Sequence, residues 1–159
     1  MWNWLWSLPC PKKIQVFLWK ALRNRLPTKT FLAHRRLHMD SLCPCCQSPE
    51  TTIHILRVCP WAREIWCQAP GILSLSFFAL PLQDWLHSNA ALERPTLPHL
   101  IRWKVFFPFT CWKLWLARNE RIFSHQSITQ HSLLYSLVQA DTEFHFLAST
   151  AHQTPSRIP

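Results

Sequence analysis

The sequence predicts a mainly α protein. Two observations carry that reading. Apolar residues recur at three- and four-residue steps in several segments, the period of a helix with one buried face. Between the first two of these segments and the rest, Cys43, Cys46, His54 and Cys59 fall in the spacing C-x2-C-x7-H-x4-C within 17 residues, three soft thiolates and one imidazole, the donor set of a structural zinc ion. Together they give a small zinc-stapled helical domain followed by a helical C-terminal extension.

The first solid helix is expected over Pro11 to Leu26, with Pro11 at a tolerated first-turn position. Ile14, Phe17, Leu18, Ala21 and Leu22 form one apolar stripe, and Lys13, Lys20 and Arg23 lie off it. Pro27 ends this helix and Thr28 caps a second one running to Leu37, with Phe31 and Leu32 inward and Arg35 and Arg36 outward. Pro44 helps set the tight turn between the first two ligands. A separation of five residues from His54 to Cys59 suits a short helical turn that then loosens, so that both side chains reach one ion. Pro60 starts a helix from Trp61 to Gln68 with Ala62, Ile65 and Trp66 facing the core, and the Cys59 thiolate sits at its amino end, where the helix dipole favours negative charge.

Residues 1–68 thus form the metal-binding unit. Residues 69–97, rich in proline and poor in charge, read as a hydrophobic connection packed on the core, with a short helix at Asp84-Trp85-Leu86. Residues 98–147 form a helical region. Its first helix, Pro98 to His125, carries Leu100, Trp103, Phe107, Cys111, Leu114 and Trp115 and should kink or split at Pro108. A second, Ile128 to Leu147, presents Leu133, Leu134, Leu137, Val138, Phe144 and Leu147. Residues 148–159 are expected to be a frayed, disordered tail.

Composition narrows the function classes. Ten Trp and ten Phe supply a large buriable area, and the single glycine, Gly71, excludes phosphate-cradling and dinucleotide-binding loops, which need several. The longest uncharged run, Ile65 to Gln83, is interrupted by Pro70, Gly71 and Pro81, a poor membrane span. The amino terminus lacks a secretory leader, so reduced thiols in a nuclear or cytoplasmic setting are expected for the seven cysteines. The net charge is +9 and uneven: Lys12, Lys13, Lys20, Arg23, Arg25, Lys29, Arg35 and Arg36 precede the lone Asp40, and Arg102, Lys104, Lys113, Arg118 and Arg121 form a second concentration. Basic segments on both sides of the metal clip suggest a polyanionic partner.

Four protein ligands close a zinc sphere and leave no position for an activated water, so the site reads as a folding clip and not as a catalytic metal. His38, Cys45 and Cys67 are the alternative ligands. The only tyrosine is Tyr135 and the eight carboxylates are scattered, so neither a Tyr-x-Asp-Asp motif nor a two-metal carboxylate site is visible. Glu50 is expected to cap or hydrogen-bond near the ligand loop, and the aromatic residues to pack as core in preference to forming a base-stacking platform.

The stretch Trp6, Pro11-Lys12-Lys13-Ile14-Gln15-Val16-Phe17-Leu18-Trp19, Leu26-Pro27-Thr28, Leu32, Arg35-Arg36, Cys43-x2-Cys46, Pro49-Glu50-Thr51, His54-Ile55-Leu56, Cys59-Pro60, Ala62 and Trp66 resembles the zinc-binding domain that follows the reverse transcriptase in plant non-LTR (LINE-type) retrotransposons. It covers roughly Trp2 to Cys67. The segment Trp112 to Phe123 is similar to the linker that precedes an RNase H-like domain in such elements. Cys45 departs from the family pattern, which usually has an ordinary residue there, and its thiol could compete for the metal; the family spacing favours Cys43 and Cys46. The resemblance implies a detached, non-catalytic piece of a polyprotein.

The expected function is therefore a zinc-binding module that holds RNA or DNA through Lys12, Lys13, Lys20, Arg23, Arg25, Lys29, Arg35 and Arg36, with no small-molecule substrate and no membrane. The alternatives are a structural platform that docked reverse transcriptase to an RNase H domain, motivated by the apolar segment Ile72 to Leu82, and a remnant without function.

Overall fold

The computed structural model describes residues 2–37, 40–69, 74–93, 102–126 and 128–139. Among them the protein is mostly helical, and an isolated antiparallel bridge pairs Leu42 with Pro49. The helices are α1 (Asn3–Trp6), α2 (Lys12–Leu22), α3 (Lys29–His34), a π-helical turn (His54–Val58), α4 (Pro60–Cys67), α5 (Leu75–Ala79), α6 (Leu82–Ala90), α7 (Trp103–Phe123) and α8 (130–139). None is long and apolar enough to cross a membrane among the described residues.

Each element follows from local rules. In α2 the predicted stripe Ile14, Phe17, Leu18, Ala21 and Leu22 is buried. The helix ends four residues earlier than expected, because Asn24 takes the left-handed conformation (φ 49°) and the Arg25 N–H returns to the Lys20 carbonyl at 2.8 Å, a Schellman closure. Thr28 caps α3 as expected, its Oγ1 accepting from the Phe31 N–H at 3.1 Å, but α3 stops at His34, where Arg36 (φ 58°) and a Leu37 N–H to Leu32 carbonyl bond of 3.3 Å repeat the same closure. With one glycine in the chain, these left-handed positions fall to Asn24, Arg36, Gln47 and His125, each at a cost of about 1–2 kcal/mol that surrounding contacts must offset. α4 follows the prediction, with Pro60 in its first turn and Ala62, Ile65 and Trp66 buried.

Where described, residues 69–97 pack on the core as expected, with α6 around the expected short helix at Asp84-Trp85-Leu86, α5 before it, and Phe77, Trp85, Leu86 and Ala90 buried. Two expectations are corrected. The Ile72 to Leu82 segment is accordingly not an exposed apolar strip where it is described. Phe77 is buried, Phe78, Leu80 and Leu82 pack on the core, and Leu75 alone of its large side chains stands out, 94% exposed. Finally, α7 is not split at Pro108; it runs unbroken from Trp103 to Phe123 with Pro108 buried inside it. Phe106, Phe107, Cys111, Leu114 and Trp115 pack the helix along this length, and the Thr110 hydroxyl donates to the Phe106 carbonyl at 2.8 Å, so burial outweighs the roughly 3 kcal/mol that an internal proline costs.

The core is continuous from Leu5 in α1 to Leu137 in α8. Its centre is Trp66, whose ring lies 5.2 Å from Phe77, 5.9 Å from Trp85, 6.3 Å from Trp103 and 5.4 Å from Phe107. Phe17 of α2 meets Trp112 and Trp115 of α7 at 5.3 and 6.3 Å. In α8, Leu133 and Leu137 are buried and Leu134 packs beside them, whereas Val138, expected on the apolar side, is exposed. Leu100, Phe144, Leu147 and the expected tail lie outside the described residues.

Candidate metal centre

The metal site is assembled from two backbone devices that each bring a pair of donors together. The first is the turn at Cys43 to Ser48. The Leu42–Pro49 bridge closes its base, the Cys43 N–H donates to the Ser48 carbonyl (2.8 Å) and the Gln47 N–H to the Cys43 carbonyl (2.9 Å), with Gln47 left-handed at φ 58°. Folding the chain back in this way aims the Cys45 N–H at the Cys43 sulfur, 3.4 Å away. The second device is the π turn. Its Cys59 N–H reaches the His54 carbonyl at 2.8 Å, a five-residue bond that places residues five apart on one side. The His54 N–H is held by Thr51 Oγ1 at 3.2 Å, and the Leu56 carbonyl accepts from the buried Trp66 indole at 2.7 Å.

These devices place Cys43 Sγ 3.9 Å from Cys59 Sγ and Cys46 Sγ 3.3 Å from His54 Nε2, and all four donor atoms lie within 4.8 Å of one another. Around a tetrahedral zinc ion, sulfur–sulfur edges are about 3.8 Å and sulfur–nitrogen edges about 3.5 Å, given the usual bond lengths. The donor set and its spacing therefore fit one zinc ion. Cys43, His54 and Cys59 are buried and Cys46 half-buried, and a bound zinc would fix the turn against the π turn without an open coordination position. The cavity beside the cluster, lined by Cys43, Cys59, Glu50, Trp61, Arg118 and Arg121, measures about 10 Å³, room for one water molecule and not for a substrate.

The thiols are chemically unequal. Cys43 is drawn down to about 3, chiefly by the hydrogen bond from Cys59 and further by His54 and by the N–H groups of Cys45 and Cys46. Cys59 is held well above the ordinary thiol range because it donates that bond and because it is buried. Burial alone raises Cys10 to about 12 and puts Cys111 well above its ordinary value, so both are inert core residues.

Of the alternative ligands, Cys45 and Cys67 are exposed and stand outside the cluster, while His38 lies outside the described residues. The Cys45 sulfur accepts from Arg121 Nη1 at 2.7 Å, and partial desolvation raises its pKa against the pull of the guanidinium.

Two buried residues behind the ligands have partners that the sequence does not reveal. Glu50 is fully buried; its Oε1 accepts the Lys29 N–H at the start of α3 (2.8 Å) and forms an ion pair with Arg118 of α7. The expected capping role is met, but the partner 68 residues away carries no local signal. Arg57, inside the π turn, is buried too, and its Nη1 donates to the carbonyls of Phe77 (3.1 Å) and Leu80 (2.7 Å), tying the metal site to α5. Burial lowers its pKa.

The basic residues divide. Lys12, Lys13, Lys20, Arg23, Arg25, Arg35 and Arg36 are exposed, and Lys29 is partly covered and paired with Asp40 at 3.2 Å. The second concentration is mixed: Arg102 is exposed and Lys113 partly so. Arg118 is buried with Glu50, Lys104 pairs with Glu93 at 3.0 Å, and Arg121 lies over the Trp61 ring at 4.7 Å.

Residues 1–66 match the family described as zinc-binding in reverse transcriptase. That stretch is similar to zinc-binding domains of the reverse-transcriptase type and contains all four donors of the cluster. Over 127 residues, 79% of its length, the chain is 28% identical to an Arabidopsis thaliana protein named for ribonuclease H, of which it spans one fifth (20%). No solved structure matches it.

Proposed function

We propose that the protein is a non-catalytic module in which Cys43, Cys46, His54 and Cys59 hold one structural zinc ion and the exposed cations of α2 and of the turns after α2 and α3 bind RNA or DNA. The observation that carries this reading is the first basic segment, in which seven cations stay exposed and none is ion-paired among the described residues. Exposed positive charge without a paired carboxylate supports phosphate contact. Lys29 joins the set as a contributor to local potential, since Asp40 already neutralises it.

Binding carried by phosphate contacts weakens steeply with salt, by about 0.9 in the slope of log affinity against log salt for each phosphate neutralised on duplex DNA. Titration of labelled RNA and DNA across a salt series tests the reading. A steep slope that flattens when Lys12, Lys13, Arg35 and Arg36 are reversed to Glu supports it. Undetectable binding at low salt, or binding indifferent to those reversals, overturns it.

A second reading is favoured by Leu75 and Phe123, 94% and 70% exposed. Large apolar side chains in water suit a platform that docks reverse transcriptase or RNase H domains. Capture of such domains that survives high salt and is lost in Leu75→Ser and Phe123→Ser variants would favour it over nucleic-acid binding.

A further inference from the structure

The tryptophans differ in their surroundings. Trp66, Trp85 and Trp103 are wholly interior. Trp2, Trp6 and Trp19 are not: Trp6 is 43% exposed, Trp2 and Trp19 are half-buried, and each lies against Lys12 at the start of α2 or Arg23 just past its end. Lys12 Nζ sits 4.3 Å from the centre of the Trp6 ring, and the Arg23 guanidinium lies 5.8 and 5.7 Å from the Trp2 and Trp19 rings. Lys12, Val16, Trp19 and Arg23 follow the four-three-four step of a single helix face, opposite the buried stripe, and Val16 between them is 37% exposed. From Lys12 to Arg23 this face is about 16 Å long at 1.5 Å per residue.

Trp6 and Lys12 stand at one end of the face and Arg23 with Trp2 and Trp19 at the other, so aromatic rings and positive charge alternate along it. Duplex phosphates need only the charge, because paired bases are stacked inside the helix. A single strand offers phosphates and unpaired base faces together, and aromatic rings interleaved with cations are the chemistry that takes both. Resting on the nucleic-acid reading above, we propose that the α1–α2 face is a binding site for a single-stranded polynucleotide, with Trp6 and Trp2 as base-stacking surfaces and Lys12 and Arg23 as phosphate contacts. Trp4 has a different task. Its ring meets His87 of α6 at 5.1 Å and anchors α1 to the body of the protein.

The zinc-loaded full-length protein decides this with four probes of equal length at one salt concentration: single-stranded DNA, single-stranded RNA, duplex DNA, and a single-stranded abasic phosphodiester chain. Both base-bearing single strands are expected to bind about tenfold or more tighter than the abasic chain and tighter than the duplex. In Trp6→Ala and Trp2→Ala the single-strand affinity falls about tenfold with the salt slope unchanged, while Trp6→Tyr keeps most of it. In Lys12→Gln and Arg23→Gln the slope itself decreases. Equal binding of the abasic and base-bearing strands overturns the stacking site with no variant needed, as does equal or tighter binding to the duplex. In both of those cases phosphate binding itself survives. If none of the four probes binds at low salt, the nucleic-acid reading fails as a whole and this site with it.

Discussion

The carboxylate of Glu50 and the guanidinium of Arg118 form a buried ion pair that joins the zinc-binding turn to the middle of α7, 68 residues further along the chain. Glu50 also receives the first N–H of α3, and Arg118 donates to Asn119 Oδ1 at 2.9 Å and lies over Trp115 at 5.0 Å. One carboxylate therefore holds three segments together. Removing one partner leaves a buried charge uncompensated, at a cost of about 3–5 kcal/mol, whereas removing both costs less. Glu50→Gln and Arg118→Met are each expected to lower the unfolding free energy of the zinc-loaded protein, read from urea titration, by that order, and the double variant by less than the sum of the two. Additive single effects below about 1 kcal/mol would refute the pair's role.

Zinc should be the largest single contribution to stability. Binding to sites of this type is worth on the order of 10 kcal/mol, comparable to the stability of a whole domain. Chelation under reducing conditions is expected to abolish most of the helical circular dichroism. By mass spectrometry, Ser at position 43, 46 or 59, or Ala at 54, should remove the one equivalent of zinc, and Cys45→Ser and Cys67→Ser should keep it. Loss of the metal in Cys45→Ser would show that the extra thiol is a ligand and that the register is shifted.

The matched segment, residues 1–66, ends at the residue on which the aromatic core converges. Cut off after Gln68, the chain would leave Trp66 without Phe77, Trp85, Trp103 and Phe107, and Glu50 without Arg118. Such a fragment is expected to bind zinc and yet to show poor amide dispersion in NMR spectra and no cooperative melting. In the full chain, Trp66→Ala should cost about 3–5 kcal/mol. A sharply melting 1–68 fragment would contradict this.

Asp40 supplies a pH dependence of known sign. Its carboxyl lies below the ordinary carboxylate range because the Leu42 N–H and then Lys29 bond to it. A group lowered in the folded state stabilises above its unfolded pKa, near 4, and that stabilisation is lost as pH falls through the folded value. Zinc affinity falls on the same side, as protons compete for the ligands. In an NMR titration of the zinc-loaded protein, the Asp40 carboxyl should titrate below its value in the denatured chain, and Asp40→Asn should flatten the stability profile below about pH 4. An Asp40 that titrates at the denatured value would sink this prediction.

Local signals were legible and distant ones were not. The apolar stripe of α2, the Thr28 cap, the Pro60 start and the metal donors each express themselves within a few residues, and the structure places all of them as expected. α1 is four residues long, too short for any period to show. α6 hides behind low charge and a flanking proline, although Trp85, Leu86, Asn89 and Ala90 do have helical spacing. Glu50, Arg57 and Arg118 look like surface residues in sequence because their partners come from other elements.

The π turn between His54 and Cys59 acts as a ruler. In a regular α-helix, residues five apart point about 140° away from each other, so the pair could not face one ion. The wide turn is what makes a four-residue gap serve. A residue inserted between them would swing Cys59 off the metal and drag α4, with Trp66 at its far end, out of the aromatic core. Length here is as constrained as chemistry, and a change that leaves all four donors in the sequence could still dismantle the protein.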